Sequence, residues 1–145
     1  MATSDIVTKN KQIAREFGDS LWTERYDDLR DLCTDDAVFH DPAFDPEGAD
    51  LDGLIERFER MHASMSDVDY EMVDLVGEGE YVFSRGRVEA THTGEFMGIA
   101  PTENRVSAAD HLEFRFEDGK IAETWAQYDQ MGLLRQIGAK FPGGH

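Results

Sequence analysis

At 145 residues, 40% apolar and 31% charged, the chain has the size and composition of one folded domain with a densely charged surface. Its 31 acidic residues outnumber 14 basic ones, for a formal charge of −17. A field of that sign repels phosphate backbones and anionic lipid, which argues against nucleic acid or a membrane surface as partner.

The acidic residues are spread along the chain and interrupted by apolar positions, so they do not form a disordered tail. Lysines are few (Lys9, Lys11, Lys120 and Lys140) beside ten arginines. Scarce lysine and abundant carboxylate around an ordinary core read as adaptation to high salt, where a Debye length of about 3 Å screens self-repulsion. Cys33 is the single cysteine, so no intrachain disulfide is expected; it falls in an apolar helical pattern and reads as a core thiol. The opening MATSDIVTKNKQ has no apolar signal-peptide core, and no run of 18 apolar residues occurs, so the expected compartment is the cytoplasm.

In chain order, Ser4 is a candidate N-cap, and Ile6, Ile13, Phe17 and Leu21 predict an amphipathic helix over 5–23. Tyr26, Leu29 and Leu32 predict a second, short helix. Ala37 to Asp41 reads as a short strand closed by Pro42. Leu51, Leu54, Ile55, Phe58, Met61 and Met65 mark a third helix. From Asp67 the period changes to two. Val68, Tyr70 and Met72 begin a strand that ends at the turn Gly77-Glu78-Gly79. A long strand follows over 81–92, with Val82, Ser84, Gly86, Val88, Ala90 and His92 on one face. After a loop over 94–104, Arg105 to Phe116 is a strand, Asp118-Gly119 a hairpin turn, and Lys120 to Asp129 the returning strand. Met131, Leu133, Leu134 and Ile137 predict a short final helix stopped by Gly138. Helices first and an antiparallel meander afterwards is an α+β pattern. Both faces of the long strands carry bulky apolar residues, so a second subunit is the simplest cover for the face that the helices leave, and a homodimer is expected.

Phosphate-loop and dinucleotide glycine motifs are absent, as are the H-E-x-x-H and C-x-x-C zinc motifs and the G-x-S-x-G elbow. What remains is a handful of polar residues among apolar ones. His92 should point inward at the end of its strand; a core histidine satisfying a carbonyl is the competing role. Asp129, four residues from Trp125 and on its face by alternation, is a candidate desolvated acid/base. It could equally cap the following helix. His111 alternates with Glu113 and Arg115, which places it outward unless a bulge reverses the parity. His40, in F-H-D-P beside Phe39, reads as a pocket-mouth residue, and no metal is expected with Asp41. His62 reads as a helix-face residue and His145 as a terminal one. Phe96 and Met97, between glycines, suggest a loop folded over an apolar cavity or packed on a partner subunit. Phe17 and Phe58 on the helices and Trp125 complete the expected pocket lining.

The segments T-H-T-G-E-F-M-G-I-A-P-T (91–102), F-R-F-E-D-G-K-I-A-E-T-W-A-Q-Y-D (114–129) and G-L-L-R-Q-I-G (132–138) resemble the SnoaL-like polyketide cyclase (ester cyclase) family. The resemblance covers nearly the whole chain. It implies the cone-shaped nuclear transport factor 2-like α+β barrel, helices packed on a strongly bent sheet, a deep apolar pocket and frequent dimers. It also implies intramolecular aldol closure of a small carbonyl substrate without metal or organic cofactor. The family's acid/base is an acidic residue on a late strand, which the resemblance carries to Asp129, assisted in some members by a histidine, here His92 or His111. Ala100 and Glu103 depart from the proline and glycine common in the family's loop, so the pocket it covers can differ in shape. Isomerase, dehydratase or hydrolase chemistry, or a dimeric ligand-binding module without catalysis, are the alternative readings on this scaffold.

Overall fold

A computed structural model describes residues 3–142. Helix α1, Thr3–Trp22, buries the stripe of Ala14, Phe17 and Leu21. It begins at Thr3, so Ser4 falls within its first turn. The expected second helix is instead two single 3-10 turns, Tyr26–Asp28 and Arg30–Leu32, neither with a side-chain cap. Such short turns reverse the chain into the sheet. Cys33 opens strand β1, Cys33–Asp41, instead of belonging to a helix. It is a core thiol, and burial pushes its pKa up to about 12. Strand β2, Asp45–Ala49, contains Pro46 and Gly48 and gave no strand signal; it exists only as the sheet edge, where such residues are tolerated.

Helix α2, Leu51–Ser64, is capped by the Asp50 carboxylate, which accepts from the Gly53 N–H at 2.9 Å. Strands β3 (Met65–Glu78), β4 (Tyr81–His92), β5 (Arg105–Glu117) and β6 (Lys120–Tyr128) follow, then helix α3 (Gln130–Gln136) with Gly138 beyond it at φ 100°. The β5–β6 turn has Asp118 and Gly119 at φ 49° and 80°, the positive values a two-residue hairpin needs.

The six strands order as β2-β1-β6-β5-β4-β3, antiparallel throughout except that β1 runs parallel to β6. Register shifts in β3, between Ser66 and Asp69 and between Met72 and Asp74, are the bulges that bend such a sheet. Its inner face packs on α1 and α2. Phe17 stacks on Phe39 at 5.8 Å and meets Phe114 edge-on at 6.0 Å. Phe17, Phe58, Phe114 and Phe116 are at most 2% exposed, each contributing about 1.5–3 kcal/mol by leaving water. A smaller cluster of Met65, Ala90, Phe96, Val106 and Ile137 joins the open end of the sheet to α3.

One irregularity decides the site. Arg115 pairs with Glu123 but Phe116 with Ile121, so Ala122 is an extra residue in β6. Ile121 faces the core; beyond the bulge the inward positions are Thr124 and Ala126, and Trp125 and Gln127 turn outward. Among the described residues no helix is long and apolar enough to cross a membrane.

Candidate active site

Alternation along β4 and β5 turns Val88, Ala90, Val106 and Ala108 inward. These side chains are too small to fill the space beneath α2, and a cavity of about 340 Å³ remains. Trp22, Phe58 and Met61 wall its other side. The loop after β4 forms its rim. Phe96 and Ile99 exchange backbone hydrogen bonds of 3.0 and 2.9 Å around a turn with Met97 at φ 49° and Gly98 at φ 83°. That turn buries Phe96 against the cavity and leaves Met97 half exposed at the mouth, where the Gln130 amide donates to its sulfur at 2.7 Å.

The next inward side chain after Ala108 on β5 is Asp110, which is 0% exposed. Neither of its carboxyl oxygens has a hydrogen-bond partner among the described residues. Burial drives its pKa up to about 6. The Gly86 backbone N–H, its partner across the ladder, pulls the other way but falls short of hydrogen-bond geometry. Gly86 makes room for this group. A Cβ there would collide with the Asp110 carboxylate and stand 2.9 Å from the Tyr70 hydroxyl. On the other side Asp110 pairs with Tyr128, which lines the cavity. Trp22 stacks on Tyr70 at 5.2 Å and meets Tyr128 edge-on at 6.4 Å. Asp110 therefore stands behind the side chains of Trp22, Tyr70 and Tyr128; it does not itself line the cavity, whose wall on that side is Trp22 and Tyr128. Burial raises both phenol pKa values, and the Asp110 charge raises them further, so both hydroxyls keep their protons.

Arg57 of α2 is the cation acting on Tyr128, whereas Arg15 acts on Tyr70. Arg57 pairs with the buried Asp41 at 3.1 Å and lies over the rings of Phe44 and Phe58 at 5.0 and 4.9 Å. Burial raises the Asp41 pKa, while Arg57 and the Ala43 N–H oppose that rise. Arg57 also lines the cavity and lowers the Tyr128 phenol pKa by its charge.

The residues picked out from sequence separate into three groups. Phe58, Phe96 and Met97 line the cavity. Phe17 and Phe39 stack on each other in the core behind it. The remainder lie elsewhere. Asp129 is exposed, accepts from the Gly132 N–H at 3.0 Å and caps α3; it does not line the cavity. The Ala122 bulge is why simple alternation misplaced Asp129 and Trp125. Trp125 lies on the outer face and stacks on His40 at 5.5 Å. His40 bonds Glu123 at 2.6 Å on that face, whereas Asp41 points inward to Arg57, so the two share no ligand position. His111 is exposed beside Gln127 on the outer face, where its parity placed it.

His92 does point inward and is 0% exposed. Its Nδ1 accepts from the Thr102 N–H at 3.2 Å and pins the rim loop; Nε2 is without a partner among the described residues. Six residues of extended strand, about 20 Å, separate it from Gly86 and hence from Asp110. His62 lies within hydrogen-bond distance of the Phe58 and Trp22 carbonyls, at 2.9 and 3.0 Å, and ties α2 to α1. His145 falls outside the described residues.

The signal for Asp110 was present in the sequence. The parity that sends His111 outward sends Asp110 inward with Leu112 and Phe114, opposite a glycine.

A mixed, bent sheet folded over helices, with an apolar cavity and a buried carboxyl behind its wall, matches a known class. The sequence matches the SnoaL-like polyketide cyclase family over residues 12–137, and the chain belongs to that family. Solved structures agree. IdmH from Streptomyces antibioticus, provisionally assigned as a polyketide cyclase, superposes with a TM-score of 0.81 at 27% identity, covering 90% of this chain and 99% of its own. AclR from Streptomyces galilaeus, provisionally assigned as a hydroxylase, gives 0.80 at 26%, covering 91% and 97%. A SnoaL-like polyketide cyclase from Agrobacterium tumefaciens gives 0.72 at 25%, covering 89% and 98%. Comparison with curated proteins gives no match.

Proposed function

We propose that the protein closes a ring in a small, largely apolar carbonyl compound by intramolecular aldol condensation, with Asp110 as general acid and base and no cofactor in the step. The observation that supports this reading most is Asp110 itself: a carboxyl without a hydrogen-bond partner among the described residues, buried directly behind the cavity-lining Tyr128, with a pKa near 6. Nothing about folding calls for such a group, since an unsatisfied buried carboxyl opposes stability.

In the proposed step the Tyr128 ring moves aside to admit the substrate, and the Asp110 carboxylate takes a proton from a carbon flanked by carbonyls. The electron pair moves onto the carbonyl oxygen as an enolate. The enolate carbon attacks a second carbonyl of the same molecule, forming the new carbon–carbon bond, and the resulting alkoxide takes the proton back from Asp110. A pKa near 6 lets one group serve in both directions at neutral pH. The Tyr128 hydroxyl, held protonated, and the Arg57 guanidinium are the donors available to the enolate oxygen. Binding the substrate folded in a cavity of limited volume supplies proximity. The phenols take the assisting role expected of a histidine.

The test does not need the natural substrate. In D2O, wild-type protein should accelerate exchange of the α-protons of 1-tetralone, followed by proton NMR. Asp110→Asn should remove the acceleration by about 10²- to 10⁴-fold. Equal exchange in both proteins would refute the base, and binding without exchange would favour a ligand-binding module.

We also propose that the protein works as a homodimer in the cytoplasm and is adapted to high salt. Val38, Val76, Tyr81 and Phe83 are exposed apolar residues on the sheet, the unpaired Cys33 suits a reducing compartment, and the charge of −17 needs screening.

A further inference from the structure

We infer that the cavity takes a carboxylic acid rather than a neutral compound, its carboxylate held at the mouth by Arg60. This rests on the proposed reading of the cavity as a substrate site and adds the class of substrate. Arg57 and Arg60 lie one turn apart on α2 and both line the cavity. Their situations differ. Arg57 is half-buried and already neutralised by the buried Asp41. Arg60 is exposed, and among the described residues its guanidinium meets no carboxylate and makes no hydrogen bond. That is unusual in a chain with more than twice as many acids as bases. Among the described residues the other arginines are all engaged. Arg25, Arg30, Arg57, Arg85, Arg87 and Arg115 have carboxylates, Arg15 and Arg105 reach backbone carbonyls, and Arg135 lies over Phe141.

The backbone around Arg60 is fixed. Ser64 Oγ donates to the Arg60 carbonyl at 3.3 Å and to the Glu95 carbonyl at 2.5 Å, and the Thr93 and Gly94 N–H groups donate to the Ser64 carbonyl at 3.0 and 2.9 Å. The rim loop is thereby stapled to the end of α2 beside the arginine. The Glu95 carboxylate also lines the mouth but forms no ion pair with Arg60. A chain of this charge repels anions at long range. A free guanidinium at this apolar opening gives a local site for a carboxylate, while the substrate's apolar body lies against Phe58, Met61 and Phe96. The fork geometry of the guanidinium suits a carboxylate over an ester or ketone.

The probes are 2-naphthoate and its methyl ester, with quenching of Trp22 as readout in a Trp125→Phe background that leaves Trp22 as the single tryptophan. The acid should bind about tenfold tighter than the ester, as expected for a charge-assisted hydrogen bond. Arg60→Gln should abolish that preference without weakening the ester, Arg60→Lys should keep part of it, and Glu95→Gln should enlarge it. An ester bound as tightly as the acid, a preference that survives Arg60→Gln, or quenching by neither probe would each overturn the inference. Asp110→Asn, which likewise removes a negative charge beside the cavity, should keep the preference or enlarge it. Failure of the base reading appears as normal tetralone exchange in that variant, and failure here as the absence of acid preference in the wild-type protein with its exchange unaffected.

Discussion

Asp110 places a carboxylate where its surroundings disfavour charge, and that single residue makes two quantities move with pH. Its folded pKa is about 6 against an ordinary 3.8. The folded chain therefore holds the proton more tightly than the unfolded chain, so ionising Asp110 opposes folding. The destabilisation is absent below about pH 4, grows between pH 4 and 6, and is complete above that, at roughly 3 kcal/mol. Asp110→Asn should thus melt higher than wild type at pH 7 and level with it at pH 4, by calorimetry. Exchange activity should rise through pH 6 and then flatten, because the base must be ionised. Gly86 is the complementary position: a Cβ there meets the Asp110 carboxylate and the Tyr70 hydroxyl. Gly86→Ala should cost about 1–3 kcal/mol in urea unfolding and lose exchange, since the carboxyl must move.

Individual elements were legible where one local rule dominated. The apolar stripes gave α1 and α2, and Asp118-Gly119 gave the β5–β6 hairpin. Strand β2 was not legible, because pairing with β1 and not its own Pro46 and Gly48 makes it a strand. The Ala122 bulge was not legible either, since a register shift is set by the neighbouring strand, and it moved Trp125 and Asp129 off the expected face. With Asp129 at the head of α3, its role can be separated cleanly. Asp129→Ala should lower stability by about 1 kcal/mol through the lost cap and leave tetralone exchange unchanged. A loss of exchange comparable to that of Asp110→Asn would return Asp129 to the chemistry.

For the whole molecule, the order of helices and strands was enough to give the α+β class. The cavity was not, because it is the space left when Val88, Ala90, Val106 and Ala108 face α2 across a bent sheet. Two expectations belong to this scale. Potassium chloride should raise the melting temperature as it screens a charge of −17, and a flat response would count against salt adaptation. Sedimentation should give a two-chain mass, with Val76 and Phe83 at the contact, and Phe83→Asp should shift it to one chain. The fold's main consequence is still a carboxyl withdrawn from water behind the wall of that cavity. Carbon NMR of aspartate carboxyls, with Asp110→Asn to identify the signal, measures this directly. A titration midpoint near 6 is predicted, and one near 3.8 would contradict the account.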